Sequence, residues 1–201
     1  LGVDDLMRVP WPAARITAAR FCINDSPIAT KPGLAETDPP ATAHDRKESP
    51  VPDLRPLAGV SIAFDLDGTL VETAPDLIGA LNVVLTERNL PPLPLASARH
   101  LVGLGARVML EHGFKEAGAP YHAGEMPLMV ERFVEIYRDR IADESHPFPG
   151  VEAVLDQFAA QGAILLVATN KRTELSLTLL DKLGLLNRFA AVVGPDAVSR
   201  H

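Results

Sequence analysis

The sequence predicts an α/β fold, a Rossmann-like parallel sheet core with a helical insert after its first strand. Two apolar runs carry this prediction, at residues 60–64 and 163–168. Short apolar runs bounded by turn residues are typical of strands, and the unbroken second run is typical of a parallel strand buried on both faces. The long stretch between the two runs has helical periodicity, so helices separate the first strand from the rest of the core.

The first predicted helix begins at Pro75, because proline is favoured at the first helical position. One face of this helix is apolar and carries Leu77, Ile78, Leu81, Val84 and Leu85. The prolines within residues 91–94 end the helix. Two or three further helices are expected before Pro147, and the clearest of them covers residues 126–137.

Strands and helices alternate in the last part of the chain. The pattern predicts a helix over residues 151–158, the second strand at 163–168, a helix over 175–183 and a third strand at 190–193. Helices that alternate with strands are typical of a parallel sheet.

Residues 1–56 differ from the rest of the chain in composition. Half of the 18 prolines lie there, among small, polar and charged residues without periodicity. Such a segment cannot bury enough apolar surface to offset its ordering entropy, so we expect a disordered or non-catalytic N-terminal extension. A partial core is expected over 57–73 and 150–201. Residues 74–149, called the helical insert below, are expected to form a helical cap.

The composition excludes several classes of protein. The net charge of −7 supplies no positive field for a phosphate backbone, so we expect no nucleic-acid partner. No apolar run approaches the ~20 residues needed to cross a bilayer, so we expect no membrane partner. The single cysteine, Cys22, cannot form an internal disulfide or a cysteine-ligated zinc site, which favours a cytoplasmic location.

Asp65 and Asp67 lie two residues apart where the first strand ends. In extended chain such positions project to one side, so both carboxyl groups are expected to face one crevice beyond the strand ends. Gly68 permits a sharp turn and is expected to leave its amide free for an anion. One carboxylate can act as a nucleophile and the other as a general acid, while Mg²⁺ offsets their mutual repulsion.

Two other interpretations of this acidic pair exist. An EF-hand loop would need glycine at its sixth position, where Leu70 stands, so a calcium site of that kind is excluded. A solvated turn is the second alternative, because Asp and Gly are common in turns. That alternative does not explain why an apolar strand runs straight into two acids.

Several segments resemble a known family. Residues 64–71, Phe-Asp-Leu-Asp-Gly-Thr-Leu-Val, resemble the first motif of the haloacid dehalogenase superfamily of phosphohydrolases. Residues 167–171, Val-Ala-Thr-Asn-Lys, resemble its second motif. The helical insert lies between these motifs, as in members with a helical cap. Residues 73–77 and 102–106 are most similar to bacterial phosphoglycolate phosphatases.

The resemblance implies a Mg²⁺-dependent phosphomonoester hydrolase that converts a small phosphorylated acid, 2-phosphoglycolate, to glycolate and phosphate through an aspartyl-phosphate. It implies that Asp65 attacks phosphorus and binds the metal. Asp67 would protonate the leaving group, activate the hydrolytic water and bind the metal through its backbone carbonyl. The phosphate-binding groups would be Thr169, the Asn170 amide and the backbone amides of Leu66 and Gly68. The dehalogenases of the superfamily lack the second aspartate, so the resemblance excludes carbon–halogen cleavage.

Two motifs of the superfamily are not found before His201, a lysine after the third strand and an acidic motif after the fourth. The resemblance therefore implies a core that is incomplete at the C-terminus and a chain that is an inactive or impaired fragment. Lys171 lies beside the second motif, out of place for the role of the missing lysine.

The sequence leaves alternatives open at two points. Arg107 is a candidate to bind a substrate carboxylate, because a guanidinium group binds carboxylates bidentately, but the pattern favours a solvated arginine on a helix. The alternatives to a phosphatase are a sugar phosphomutase or a pyrophosphatase of the same fold, and a non-catalytic remnant.

Overall fold

The computed structural model describes residues 56–197 and the backbone of Thr17 and Ala18. The prediction for residues 1–56 therefore lies almost entirely outside the described residues. Within the described part, none of the helices is long and apolar enough to cross a membrane.

The main sheet has four strands, three of them parallel. In spatial order they are β1 (Thr17–Ala18), β2 (Ser61–Phe64), β5 (Ile164–Ala168) and β6 (Ala191–Val193). Strands β2, β5 and β6 run parallel, and β1 pairs antiparallel with β2. A second, two-stranded sheet pairs β3 (Val71–Glu72) with β4 (His146–Pro147). The predicted α/β class is confirmed.

The helices fall into two groups along the chain. The helical insert contains α1 (Ala74–Glu87), α2 (Leu95–Ala98), α3 (Ala106–Glu116) and α4 (Met126–Asp139). The core carries α5 (Val151–Ala160) and α6 (Thr173–Lys182). Each predicted helix and strand is present, with ends that differ from the prediction by at most two residues. Pro75 lies in the first turn of α1, where proline costs no hydrogen bond.

The second apolar run forms a strand that is buried on one face only. Leu165 and Val167 are buried in β5, whereas Ile164 is 46% exposed. The prediction that this strand is buried on both faces is therefore wrong for the described residues. An unbroken apolar run indicates a strand, but it does not show whether other elements of the protein pack on both of its faces.

One apolar cluster joins the sheet to the helical insert. Helix α1 packs against α3 and α4, and its Leu81 and Leu85 have no exposed surface. Gly113 of α3 allows the helices to approach, because a Cβ there would lie 3.2 Å from Leu81 Cδ1. Each fully buried leucine contributes about 1.5–3 kcal/mol, so this packing holds the helices of the insert together.

The chain leaves the core for the insert after β3 and returns before β4, and Asp76 ties these two passages together. Asp76 is fully buried in the first turn of α1. Its Oδ2 accepts hydrogen bonds from Glu144 N (3.1 Å), Ser145 N (2.8 Å) and Ser145 Oγ (2.7 Å). Arg140 Nε lies 3.6 Å from the other oxygen, Oδ1, and offsets its charge. We call this group of four residues the linker clasp.

We expect Asp76→Ala to lower the free energy of unfolding by about 3 kcal/mol, because it removes three hydrogen bonds and leaves Arg140 without its carboxylate. Ser145→Ala is the matched control and should cost only about 1 kcal/mol, since the two backbone donors remain. Urea unfolding followed by circular dichroism measures both values. Equal losses for the two variants would contradict the clasp as described.

Candidate active site

The candidate site lies at the carboxyl edge of the parallel strands. Asp65 follows β2, and Thr169 and Asn170 follow β5. The strands pair with Phe64 opposite Val167, so the segments that follow them leave the sheet side by side. In open α/β sheets ligands bind at this edge.

A tight turn brings Asp67 back over the end of β2. Gly68 has φ 74°, a left-handed conformation that glycine adopts without strain. Its N–H donates to Val71 O at 2.8 Å, so the amide predicted to be free already has an acceptor. The Leu66 N–H likewise donates to Asp65 Oδ1 at 2.7 Å. Oxygen atoms within the same turn thus accept the hydrogen bonds of both amides. A pattern of residue types does not reveal such contacts.

Asp65 lines a pocket of about 420 Å³, called the outer pocket below, together with Thr169, Asn170 and Gly194. Burial raises the pKa of the Asp65 carboxyl above its ordinary value. The Leu66 N–H opposes this increase, whereas the negative charge of Asp67 adds to it. The outer pocket therefore holds a half-buried carboxylate beside a threonine hydroxyl.

Asp67 lines a different pocket of about 270 Å³, called the inner pocket, between the core and the helical insert. Three basic residues also line it, Arg107, Lys171 and Arg172. Asn170 borders both pockets, so the two are neighbours. The expected single crevice is thus divided in this structure, with one carboxylate on each side.

Two donors meet on one oxygen of Asp67. Thr73 Oγ1 donates to Asp67 Oδ1 at 2.9 Å, and Lys171 Nζ lies 3.1 Å from the same oxygen. Thr73 stands at the N-cap position of α1, but its side chain makes no cap hydrogen bond there. The hydroxyl that would ordinarily cap the helix donates its hydrogen bond to the Asp67 carboxylate instead.

Lys171 is buried between the core and the helical insert. Its Nζ donates to Tyr137 Oη of α4 at 3.0 Å. Burial alone would lower the pKa of Lys171, but the Asp67 carboxylate and Tyr137 together raise it above its ordinary value. Burial also raises the pKa of Tyr137 to about 12, so the phenol is a neutral partner at physiological pH.

Exposed contacts surround this buried bridge and join the insert to the core, and we call them the rim contacts. Arg172 Nη2 lies 2.6 Å from Glu131 Oε1, and Arg138 Nη2 lies 3.4 Å from Glu174 Oε1. Asn170 Nδ2 donates to Gly103 O at 3.1 Å. In this structure the insert is therefore closed on the core.

The position of Arg107 agrees in part with both interpretations of the sequence, a carboxylate-binding residue and a solvated arginine on a helix. It borders the inner pocket, yet its side chain is 67% exposed and pairs with Glu111 at 2.8 Å, one helical turn further along α3. A bound carboxylate would have to compete with Glu111 for the guanidinium group.

Sequence reasoning missed that Thr73 and Lys171 contact the Asp67 carboxylate and that Tyr137 contacts Lys171. Tyr137 has the spacing of a core residue of α4, and only the fold shows that its hydroxyl meets a lysine. Lys171 had one available signal, since it directly follows Thr169 and Asn170 at the end of a strand.

The described residues supply part of a site for a divalent cation. The half-buried Asp65 carboxylate is the kind of oxygen donor that Mg²⁺ binds. The Asp67 carboxylate is less suited to the role, because Thr73 and Lys171 already contact its Oδ1. No cluster of three or more His, Cys, Asp or Glu side chains able to hold a metal occurs within residues 56–197.

The α/β fold, with Asp65 and Thr169 at the carboxyl edge of its sheet, agrees with the protein family that the sequence matches. Residues 62–201 match the haloacid dehalogenase-like hydrolases. The chain therefore belongs to the haloacid dehalogenase-like hydrolase family, as the two motifs predicted.

Two curated relatives carry the same name. The chain is 56% identical over 143 residues to the phosphoglycolate phosphatase of Caulobacter vibrioides and 42% identical over 142 residues to that of Agrobacterium fabrum. Each match covers 71% of this chain and 60% of the relative. The chain thus spans about 60% of the length of these curated relatives.

A solved structure has the same architecture. The crystal structure of a predicted phosphoglycolate phosphatase from Haemophilus somnus 129PT is similar, with a TM-score of 0.62 and 30% sequence identity. The similarity covers 69% of this chain and 63% of that chain.

We expect Asp65→Asn to raise the melting temperature by about 2 °C at pH 7 in the presence of a chelator, because the ionised carboxylate is the form that burial disfavours. A raised folded-state pKa means that the folded protein holds the proton more tightly than the unfolded chain. The gain should therefore be complete above the raised pKa and disappear below the unfolded value of about 3.9. Asp139→Asn, at the exposed end of α4, is the control. A gain in melting temperature that persists at pH 3 would show that the charge of Asp65 is not its cause.

Proposed function

We propose that the protein hydrolyses a small phosphorylated acid, 2-phosphoglycolate, to glycolate and phosphate. The observation that carries the proposal is the meeting of Asp65 and Thr169 in the outer pocket, beside an inner pocket that holds Asp67. The relatives named phosphoglycolate phosphatase support the choice of substrate. The single Cys22 supports a reducing, cytoplasmic setting for the reaction.

In the proposed first step, a carboxylate oxygen of Asp65 attacks phosphorus, and the bond between phosphorus and the ester oxygen breaks. Asp67 gives a proton to the departing alkoxide, which leaves as glycolate. Thr169, with the Asn170 amide, holds the phosphoryl oxygens. The Leu66 and Gly68 amides can take part only by exchanging or sharing their present acceptors.

In the proposed second step, Asp67 takes a proton from water as the water attacks the phosphorus of the aspartyl-phosphate. Phosphate leaves and the Asp65 carboxylate is restored, so Asp67 again carries the proton it gave up. Thr73 and Lys171 both contact Oδ1 of Asp67, so we assign the proton exchange to Oδ2. Two carboxyl groups with different surroundings can divide nucleophilic and acid–base roles in this way.

Mg²⁺ is the proposed cofactor. The Asp65 carboxylate and the Asp67 backbone carbonyl would hold it, and it would offset the charge of the phosphate when bound. The helical insert would act as a cap, since in its closed position it covers the inner pocket and would exclude water from it. Arg107, which borders that pocket, suits a substrate that carries a second anionic group.

The test of the proposal is Mg²⁺-dependent release of phosphate from 2-phosphoglycolate. It compares the 201-residue chain with a form extended beyond His201 by the lysine and acidic motifs of the family. The shorter chain should turn over slowly, because neither motif lies within the 201 residues and Lys171, already bound to Asp67 and Tyr137, is not free to replace the missing lysine. Asp65→Asn should lower the rate about 10³-fold or more, and Asp139→Asn should leave it unchanged.

Two results would contradict the proposal, and a third would contradict only the predicted impairment of the shorter chain. Absence of phosphate release from both forms would mean that the substrate is wrong. Transfer of phosphate between two hydroxyl groups would identify a phosphomutase. Full activity of the shorter chain would mean that its predicted impairment is wrong.

We expect Arg107→Met to raise KM for 2-phosphoglycolate about tenfold, the effect of losing one charge-assisted hydrogen bond. The KM for ethyl phosphate, which lacks the carboxylate, should stay the same. Arg132→Met is the matched control, because Arg132 also lies on the insert but pairs with Glu87 and Glu135. An equal rise in KM for both substrates would contradict recognition of the carboxylate, and no rise for either would leave Arg107 as a solvated helix residue.

A further inference from the structure

Lys171 connects the carboxylate of Asp67 to the helical insert. Its ammonium group lies 3.1 Å from Asp67 Oδ1 on the core side and 3.0 Å from Tyr137 Oη on the insert side. The side chains of Lys171 and Asp67 are 5% and 6% exposed. The reaction steps proposed above give Lys171 no part, so a buried cation at the centre of the site needs another explanation.

The position of this ammonium group depends on the insert. A buried charge is tolerated only where it is paired and hydrogen-bonded, and here Tyr137 completes the set of partners that Asp67 begins. If the insert moved away from the core, Lys171 would lose Tyr137 and meet water. Its ion pair with Asp67 would then weaken towards the small strength of an exposed pair.

We propose that Lys171 is a positioning residue that couples closure of the helical insert to the placement of the Asp67 carboxyl group. This inference rests on the proposed function for the role of Asp67. In the closed state Thr73 and Lys171 together fix one oxygen of Asp67, which orients the other towards the reacting atoms. In the open state Lys171 loses Tyr137 and its ion pair with Asp67 weakens, while the hydrogen bond from Thr73 remains, because Thr73 and Asp67 both lie on the core side of the hinge.

The rim contacts allow the coupling to be tested apart from the bridge itself. Glu131 pairs with Arg172 on the exposed rim and does not touch Lys171, Asp67 or Tyr137. Weakening this rim pair should shift the insert towards the open state while the buried bridge keeps all its groups. Arg132 provides the matched control, since its ion pairs stay within the insert.

The experiment observes lysine ammonium groups by ¹H–¹⁵N NMR of the 201-residue chain at pH 7, without substrate or metal. The chain has only five lysines, and exposed ammonium protons exchange with water too fast to be seen. One protected signal is expected, and its loss in Lys171→Arg assigns it. Exchange of this signal should be about tenfold faster in Tyr137→Phe and about threefold faster in Glu131→Gln, with no change in Arg132→Gln.

A second signal reports on the placement of Asp67. The ¹³C resonance of the Asp67 side-chain carboxyl, assigned by its loss in Asp67→Asn, should move in Tyr137→Phe and in Glu131→Gln. Neither Tyr137 nor Glu131 touches Asp67, so a purely local role of Lys171 would leave this resonance in place. Arg132→Gln should again have no effect.

Two outcomes would overturn the inference. The first is that no protected lysine signal exists. The second is that Tyr137→Phe and Glu131→Gln leave both signals unchanged, which would make Lys171 an ion-pair partner within the core alone. Since neither readout requires turnover, responsive signals together with no phosphate release from either the 201-residue or the extended form would uphold the coupling and refute the proposed function. Phosphate release with unresponsive signals would support the proposed function and refute the coupling.

Discussion

The parallel pairing of β2 with β5 is the constraint on which the rest of the site depends. With Phe64 opposite Val167, both strands end at the same level, and Asp65 and Thr169 leave the sheet at one edge. The turn at Gly68 then returns Asp67 over that edge, beneath the insert. A shift of the pairing by one residue would turn every alternate side chain to the other face and separate the acid from the hydroxyl.

Buried charge is the second organising element. The site places a carboxylate and an ammonium group out of water, which is costly unless each has several partners. Asp67 obtains them from Thr73 and Lys171, and Lys171 obtains its second from Tyr137 of the insert. The buried Lys171 therefore has its full set of partners only when the insert lies on the core. The contacts that stabilise the fold are then the same ones that hold the insert closed and that position Asp67.

The sequence predicts what is local and periodic. Apolar runs locate the strands, helical spacing locates α1 and α4, and the strand-to-acid transition locates Asp65 and Asp67. It does not predict contacts between distant residues. Nothing in the pattern distinguishes Tyr137 from its apolar neighbours in α4, and no rule of spacing places it on Lys171. The exposure of Ile164 was missed for a similar reason, because burial depends on which layers of chain cover a strand.

The linker clasp determines how the insert can move. Asp76 bonds the start of α1 to residues 144–145, so both crossings of the chain are fixed to one another at a single buried point. Two anchored crossings permit rotation about an axis through that point and oppose sliding. Arg140 is packed so closely that a Cβ at Gly79 would lie 2.6 Å from its Cζ, which stiffens the pivot. Rotation about this pivot would carry Gly103, which accepts a hydrogen bond from Asn170, away from the mouth of the site.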